Sequence, residues 1–304
     1  MKLIAESGAT KTDWAVVGLA RFRTAGLNLS HTPAAGILDI VAGAAESVAT
    51  MLNIPDSENV SDICPLAENR ITDIIFYGAG LVGNNSLLIL DKALKTVFPG
   101  AAVAYGSDLL AASRAAFRDG PGIVAILGTG SNSCFYDGSK VVSNVRPGGF
   151  ILGDEGGGVS LGRTFIADFV KGLLPENISA SFTERYGLTY EASVENVYRG
   201  SSPAAYLASF VPFILEHRDE QYVKTLIDSN FRAFITRCLK QYDLARFDVA
   251  VVGSFGCVCK DELVALGREY GVRFTDFIKS PIDRLVEIAG AKQPGESEEI
   301  AGVE

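Results

Sequence analysis

The chain has 304 residues, 48% hydrophobic and 21% charged, with a formal net charge of −9. That length accommodates two domains with ordinary cores, and the acidic balance opposes binding to the polyanionic backbone of nucleic acid. No unbroken apolar run approaches the roughly 18 residues of a membrane span, and the start, MKLIAESGATK, turns polar too soon for a signal peptide. The expectation is therefore a cytoplasmic protein without nucleic-acid or membrane partners. The five cysteines are an odd set without zinc-ligand spacing and read as reduced thiols.

In chain order, Lys2 to Ala5 reads as a strand, Glu6 to Thr10 as a glycine turn, and Trp14 to Gly18 and Arg21 to Thr24 as two further strands. The following loop carries Asn28, which suits either a ligand hydroxyl or its own turn. Ile40, Val41, Ala44, Val48 and Met51 fall at helical spacing within a helix from Ile37 to Leu52. Pro55 to Asn69 is a polar connector. Ile71 to Tyr77 is a strand, Leu87 to Val97 a helix and Ala101 to Tyr105 a strand. The βαβ rhythm implies parallel pairing. Asp108 then stands at the carboxyl end of a strand, where a helix begins, and such edges bind ligands in α/β sheets. The turn Arg118 to Gly122 marks a lobe boundary.

The next stretch repeats the grammar of the N-terminus more than a hundred residues later. The apolar run Ile123 to Leu127 breaks into Gly128, Thr129, Gly130 and Ser131, whose backbone N–H groups and hydroxyls could cradle phosphate oxygens. Cys134 to Tyr136 and Val141 to Val145 form a hairpin about Asp137 and Gly138. Gly148, Gly149, Asp154 and Glu155 then share one loop before a helix. From 157 to 242 helix formers dominate, with breaks near Pro175, 186–188 and 200–203. Phe247 to Val252 is a strand ending in Gly253, Ser254, Phe255 and Gly256. A helix from Asp261 to Tyr270, a strand from Val272 to Thr275, a helix from Pro281 to Lys292 and an acidic tail complete the chain. Two strand, turn, strand units imply an internal duplication.

The motifs E-S-G-A-T-K-T at 6–12, G-T-G-S-N-S at 128–133, L-G-D-E-G at 152–156 and V-G-S-F at 252–255, in this order, resemble the N-acetylglucosamine kinase family. That family belongs to the BadF/BadG-like branch of the superfamily that includes actin, hexokinase and heat-shock chaperones. The resemblance covers nearly the whole chain. It implies an α/β, two-lobed actin-like ATPase (ribonuclease H-like) fold with duplicated βββαβαβα cores. The lobes would be 1–117 and 118–304, with a helical insertion at about 172–245 and the last helix packing back toward the first lobe. The implied activity is ATP-dependent phosphorylation of an amino sugar on its 6-hydroxyl.

Carried over by position, the resemblance makes Asp108 the catalytic carboxylate. It gives Thr10, Gly128, Thr129, Gly130, Gly253 and Ser254 to ATP, and Asn28, Ser131, Asn132, Gly148, Gly149 and Asp154 to the sugar. Glu6 would act on Mg²⁺, through water, in place of the aspartate that many bacterial relatives carry there. Ser7 and Ala9 likewise replace glycines. The expected cofactors are ATP and Mg²⁺, the expected partner is a small sugar, and a homodimer is compatible with the sequence. A sugar sensor without catalysis and an ATPase activating a dehydratase are the competing readings. The latter would bridge a 4Fe–4S cluster through cysteines, for which no motif is present.

Overall fold

The computed structural model describes residues 1–8, 10–27, 29, 32–52, 70–81 and 84–291. Ala9, Asn28, the connector with Cys64 and the acidic tail lie outside the described residues. The chain divides into two compact units, Met1–Arg118 with Pro281–Glu304, and Asp119–Ser280.

In the first unit, β1 (Lys2–Ser7), β2 (Lys11–Val16), β3 (Ala20–Ala25), β4 (Asp73–Gly78) and β5 (Ala102–Ser107) form one sheet in the order β3-β2-β1-β4-β5. The hairpins are antiparallel, and β4 and β5 are parallel to β1. Residue parity along each strand sets the two faces. Leu3, Ala5, Trp14, Val16, Ile74 and Phe76 face one core with α1 (Ala34–Met51) and α2 (Asn84–Val97). Ile4, Ala15, Ile75 and Tyr77 face another, covered by α3 (Asp108–Phe117) and the C-terminal helix Ile282–Ala291. α1 spans 18 residues with only Asp39 and Glu46 charged, long and apolar enough by length and composition to cross a membrane. This corrects the reading from unbroken runs, because interspersed alanines and glycines keep the helix apolar. Here its Ile37, Val41, Ala44 and Val48 are buried against the sheet.

The second unit repeats the topology. Its strands β6 (Gly122–Leu127), β7 (Ser131–Tyr136), β8 (Val141–Val145), β9 (Val249–Val252) and β10 (Phe274–Ile278) run in the order β10-β9-β6-β7-β8. Between β8 and β9 the chain forms α4 (Gly149–Leu152), α5 (Gly158–Val170), α6 (Glu176–Tyr186), α7 (Tyr190–Arg199), α8 (Pro203–Ala208), α9 (Val211–Glu216) and α10 (Gln221–Arg237). Phe182 knits these together, edge-on to Phe165 and Phe213, each at 5.1 Å. Such aromatic pairs add to burial through their quadrupoles. α11 (Ser254–Val258) and α12 (Lys260–Tyr270) follow β9, and α13 (Ile282–Ala291) follows β10.

Several strands extend further than hydropathy indicates. Glu6 and Ser7 belong to β1, paired with Asp13 and Thr12, rather than to the turn. Ser131 and Asn132 belong to β7. Polar side chains at strand ends hide these continuations, although the ladder hydrogen bonds run through them.

Candidate functional site

In the first unit, register brings Glu6 and Asp13 together, and the charge of Asp108 acts on Glu6. Glu6 pairs with Asp13 of β2 on one side and Tyr77 of β4 on the other, so the three side chains share a face. Asp13 is gripped by Lys11 and by Arg23 at 2.7 Å. Burial works against its ionisation, but those hydrogen bonds outweigh it and hold its carboxyl below the usual value. Among the described residues no cation grips Glu6 in this way. Burial, then the charge of Asp13, push its carboxyl up to about 7, with Lys11 opposing and Asp108 adding to the rise.

Asp108 is the first residue of α3. Ser107 caps that helix by accepting from the Leu110 N–H at 3.1 Å, and an Asp108 carboxylate oxygen accepts from the Leu109 N–H at 2.9 Å. Burial raises Asp108 to about 6 against the pull of the Leu109 N–H and of its own backbone N–H. Thr10 stands exposed in the β1–β2 turn, which is closed by the Gly8 N–H donating to Lys11 O at 3.0 Å. Ser7 points away from the acidic face. Its buried hydroxyl hydrogen-bonds Thr12 at 2.7 Å and accepts from the Leu27 N–H at 2.9 Å, so this serine ties β1 to β2 and to the segment after β3.

In the second unit, the turn Gly128 to Gly130 rests on the N-terminus of α5. The Gly158 and Val159 N–H groups donate to the carbonyls of Gly128 and Thr129 at 2.9 and 2.8 Å. The Gly128 N–H is used within the turn, and the Ser131 N–H donates to Asp154 Oδ1 at 3.2 Å. Two of the N–H groups expected to face a phosphate are thus spent internally, one closing the turn and the other on Asp154. Gly253 lies against the same place. Its φ is +124°, and a Cβ there would meet Leu127 O at 2.4 Å, so the β9–α11 turn abuts the β6 end only as glycine. Gly128, Thr129, Gly130, Gly253 and Ser254 therefore form one neighbourhood at the carboxyl ends of adjacent strands.

Asp154 sits beside it with a left-handed φ of +56°, a conformation that Asp tolerates better than most residues. Burial raises its carboxyl, the Ser131 N–H and Arg163 oppose the rise, and Glu155 adds to it. Gly157 allows this approach, since a Cβ there would meet the Gly130 carbonyl carbon at 2.7 Å and Asp154 O at 3.0 Å. Asn132 has its side-chain oxygen taken by Asn144 at 2.7 Å and by the Ser133 N–H at 2.9 Å, which orients its NH₂ donors outward from that pair. Gly148 and Gly149, with φ of +74° and +71°, lead into α4, which Arg163 ties down through the carbonyls of Phe150 and Ile151.

Sequence reasoning missed Asp13, Asn230, Arg237 and Tyr242. Asp13 becomes visible only through hairpin register. Tyr242 donates to Ser133 O at 2.8 Å and accepts from the Val145 N–H at 2.9 Å, bracing β7 and β8. Asn230 offers a signal of its own, a lone amide within the apolar stripe Leu226, Ile227, Phe231 and Phe234.

The acidic face of the first unit suits a hydrated divalent cation. Mg²⁺ keeps several waters and takes one or two carboxylates plus phosphate oxygens. Among the described residues no three His, Cys, Asp or Glu side chains form a ready metal cage. A carboxylate raised to about 7 by burial and then by neighbouring like charge is nevertheless relieved by a cation.

The whole chain is similar in structure to a candidate N-acetylglucosamine kinase from Porphyromonas gingivalis. The TM-score is 0.81 and the identity 34%, covering 94% of this chain and 98% of that one. A candidate N-acetylglucosamine kinase from Chromobacterium violaceum is similar at a TM-score of 0.68 and 17% identity, covering 94% and 98%. A ROK family glucokinase from Streptomyces griseus, in complex with glucose and AMPPNP, is similar at 0.53 and 16%, covering 95% and 98%. The latter two likenesses show the fold alone, the two-lobed actin-like ATPase fold. No protein-family model and no curated protein matches the chain.

Proposed function

The chain belongs to the N-acetylglucosamine kinase family of actin-like ATPases, and from that premise we propose that it transfers the γ-phosphoryl group of ATP to the 6-hydroxyl of N-acetylglucosamine or a related amino sugar. The observation that carries the reading is Asp108, a carboxylate fixed at a strand end and a helix start whose pKa is raised to about 6. A base of that strength is charged at neutral pH and still holds a proton well enough to take one from an attacking hydroxyl. In the step proposed, the sugar oxygen forms a bond to the γ-phosphorus as its proton passes to Asp108. The bond from phosphorus to the bridging oxygen breaks, and ADP leaves.

Phosphoryl transfer is chiefly a matter of positioning and of stabilising charge. In this reading Thr10 and Thr129 orient phosphate oxygens, and Gly253 with Ser254 holds the adenosine side. Ser131, Asn132, Gly148, Gly149 and Asp154 hold the sugar. Glu6 would hold Mg²⁺ through water, and the ion would supply charge neutralisation at the phosphates. A neutral amide and a hydroxyl with one carboxylate suit an uncharged, polyhydroxylated ligand.

The test is ADP release over a panel of glucosamine, N-acetylglucosamine, N-acetylmannosamine and muropeptide-derived sugars, with Mg²⁺ and with EDTA. Sugar-dependent, EDTA-sensitive release supports the kinase. Tight sugar binding by calorimetry without ADP release would make the protein a sensor instead.

A further inference from the structure

Two side chains of α10, within the helical insertion, make polar contacts with the loop that follows Asp154. Asn230 of α10 is only 8% exposed. Its side-chain oxygen accepts from the Gly156 N–H at 3.0 Å, and its NH₂ donates to Gly157 O at 3.2 Å. Seven residues on, and so on the same helix face, Arg237 Nε meets Glu155 Oε1 at 2.6 Å. The arginine side chain is 66% exposed and the glutamate 15%. α10 thus grips three successive residues, Glu155, Gly156 and Gly157, immediately after Asp154.

That grip is transmitted by short links. The Gly157 N–H donates to Asp154 O at 2.9 Å, and Asp154 Oδ1 accepts from Ser131 at 3.2 Å. Asp154 keeps its left-handed backbone, a conformation that costs free energy and persists only where its surroundings over-determine it. Asn230 meets that requirement closely: one amide satisfies a buried donor and a buried acceptor of the adjoining backbone, where an apolar side chain would leave both unpaired.

We infer that Asn230 and Arg237 are positioning residues that set the carboxylate of Asp154 for the ligand, Asn230 through the Gly156–Gly157 backbone and Arg237 through Glu155. The inference rests on the sugar-binding role proposed for Asp154. It gives the helical insertion a function, that of a rigid support for the acidic loop.

Asn230→Asp keeps the acceptor and the volume but sets a carboxylate oxygen against Gly157 O. In the ligand-free protein, amide exchange at Ser131 and across 154–157 should accelerate by about tenfold or more, while exchange at Gly158 and Val159 and in β9 and β10 stays unchanged. Sugar affinity should weaken by about tenfold or more, with affinity for an ATP analogue changing far less. If Asn230→Asp fails to fold, Arg237→Ala, at an exposed position, carries the test with a smaller loss of sugar affinity. That loss should vanish in the Asp154→Asn background, because Arg237 acts through the same carboxylate. A lowered melting temperature with unchanged loop exchange and unchanged sugar affinity would overturn the inference, as would additive effects of Arg237→Ala and Asp154→Asn. If the wild-type protein binds no sugar, the kinase reading fails, and the exchange experiment still decides whether α10 positions the loop.

Discussion

Glu6 and Asp13 share one face of the first sheet, Asp108 acts on Glu6 from the start of α3, and their separate environments give the three carboxylates separate tasks. Asp13 is neutralised by Lys11 and Arg23, whereas Glu6 and Asp108 carry their charge against burial. Asp108→Asn preserves shape and removes the proton acceptor. It should lower kcat by about 10²- to 10⁴-fold with sugar affinity nearly unchanged. Wild-type kcat should fall as the pH drops through about 6, where Asp108 protonates, and the variant's residual rate should lack that limb. A near-normal kcat in Asp108→Asn would transfer the base role elsewhere. Glu6 makes the complementary case. Its folded pKa of about 7 lies above its ordinary 4.5, so the folded state binds more protons within that window. The contribution of Glu6 to stability is therefore greatest below 4.5, falls as the pH rises toward 7, and stays reduced above it. Glu6→Gln should raise the melting temperature of the ligand-free protein at pH 8 and flatten its pH dependence, while abolishing Mg²⁺-dependent ADP release. A melting curve that Gln leaves unchanged would show that Glu6 is not under that electrostatic load.

At the level of elements, strands that alternate or run apolar were legible, as were glycine turns and helix breaks. Pro175 and Pro203 fall where α6 and α8 begin, and β6 and β8 appear almost at their expected bounds. The strand ends that carry Glu6, Ser7 and Ser131 were not legible, since their membership depends on partners in other strands. Nor was the support for the acidic loop, because Asn230 acts across a sequence separation of more than seventy residues. Glycines around Asp154 were visible as letters, but their reason is close contact between backbones. Gly157→Ala tests it. Its Cβ would press on the Gly130 carbonyl and on Asp154 O, so overpacking should cost about 1–3 kcal/mol. Because the turn that moves is the proposed phosphate turn, affinity for an ATP analogue should fall with stability, as calorimetry on the folded variant would show. Full ATP-analogue affinity in Gly157→Ala would remove that turn from the nucleotide site.

Across the whole chain, the two units repeat one strand order, yet the polypeptide does not divide at a single point. It leaves the first unit after Arg118 and returns at Pro281, so that α13, which follows the last strand of the second sheet, completes the first. Ile282, Leu285 and Ala289 of α13 join Ile4, Ala15, Ile75 and Tyr77 in one apolar cluster, and Arg284 reaches Ala115 O at 3.2 Å. The N-terminal sheet is thus covered on one face by a helix that follows the whole second unit in sequence. Leu285 is 3% exposed, and Leu285→Ala should cost about 2–5 kcal/mol through lost burial and the cavity left behind. That loss should fall on the first unit. The chain's only tryptophan, Trp14, is fully buried in the first unit, stacked on Phe22 at 5.9 Å, and its fluorescence reports that unit alone. In a urea titration the Trp14 transition should move to lower urea, while hydrogen exchange in β6, β7 and β9 keeps wild-type protection until higher urea. Equal loss of protection in both sheets would show instead that the two units unfold as one cooperative body, with α13 stabilising both.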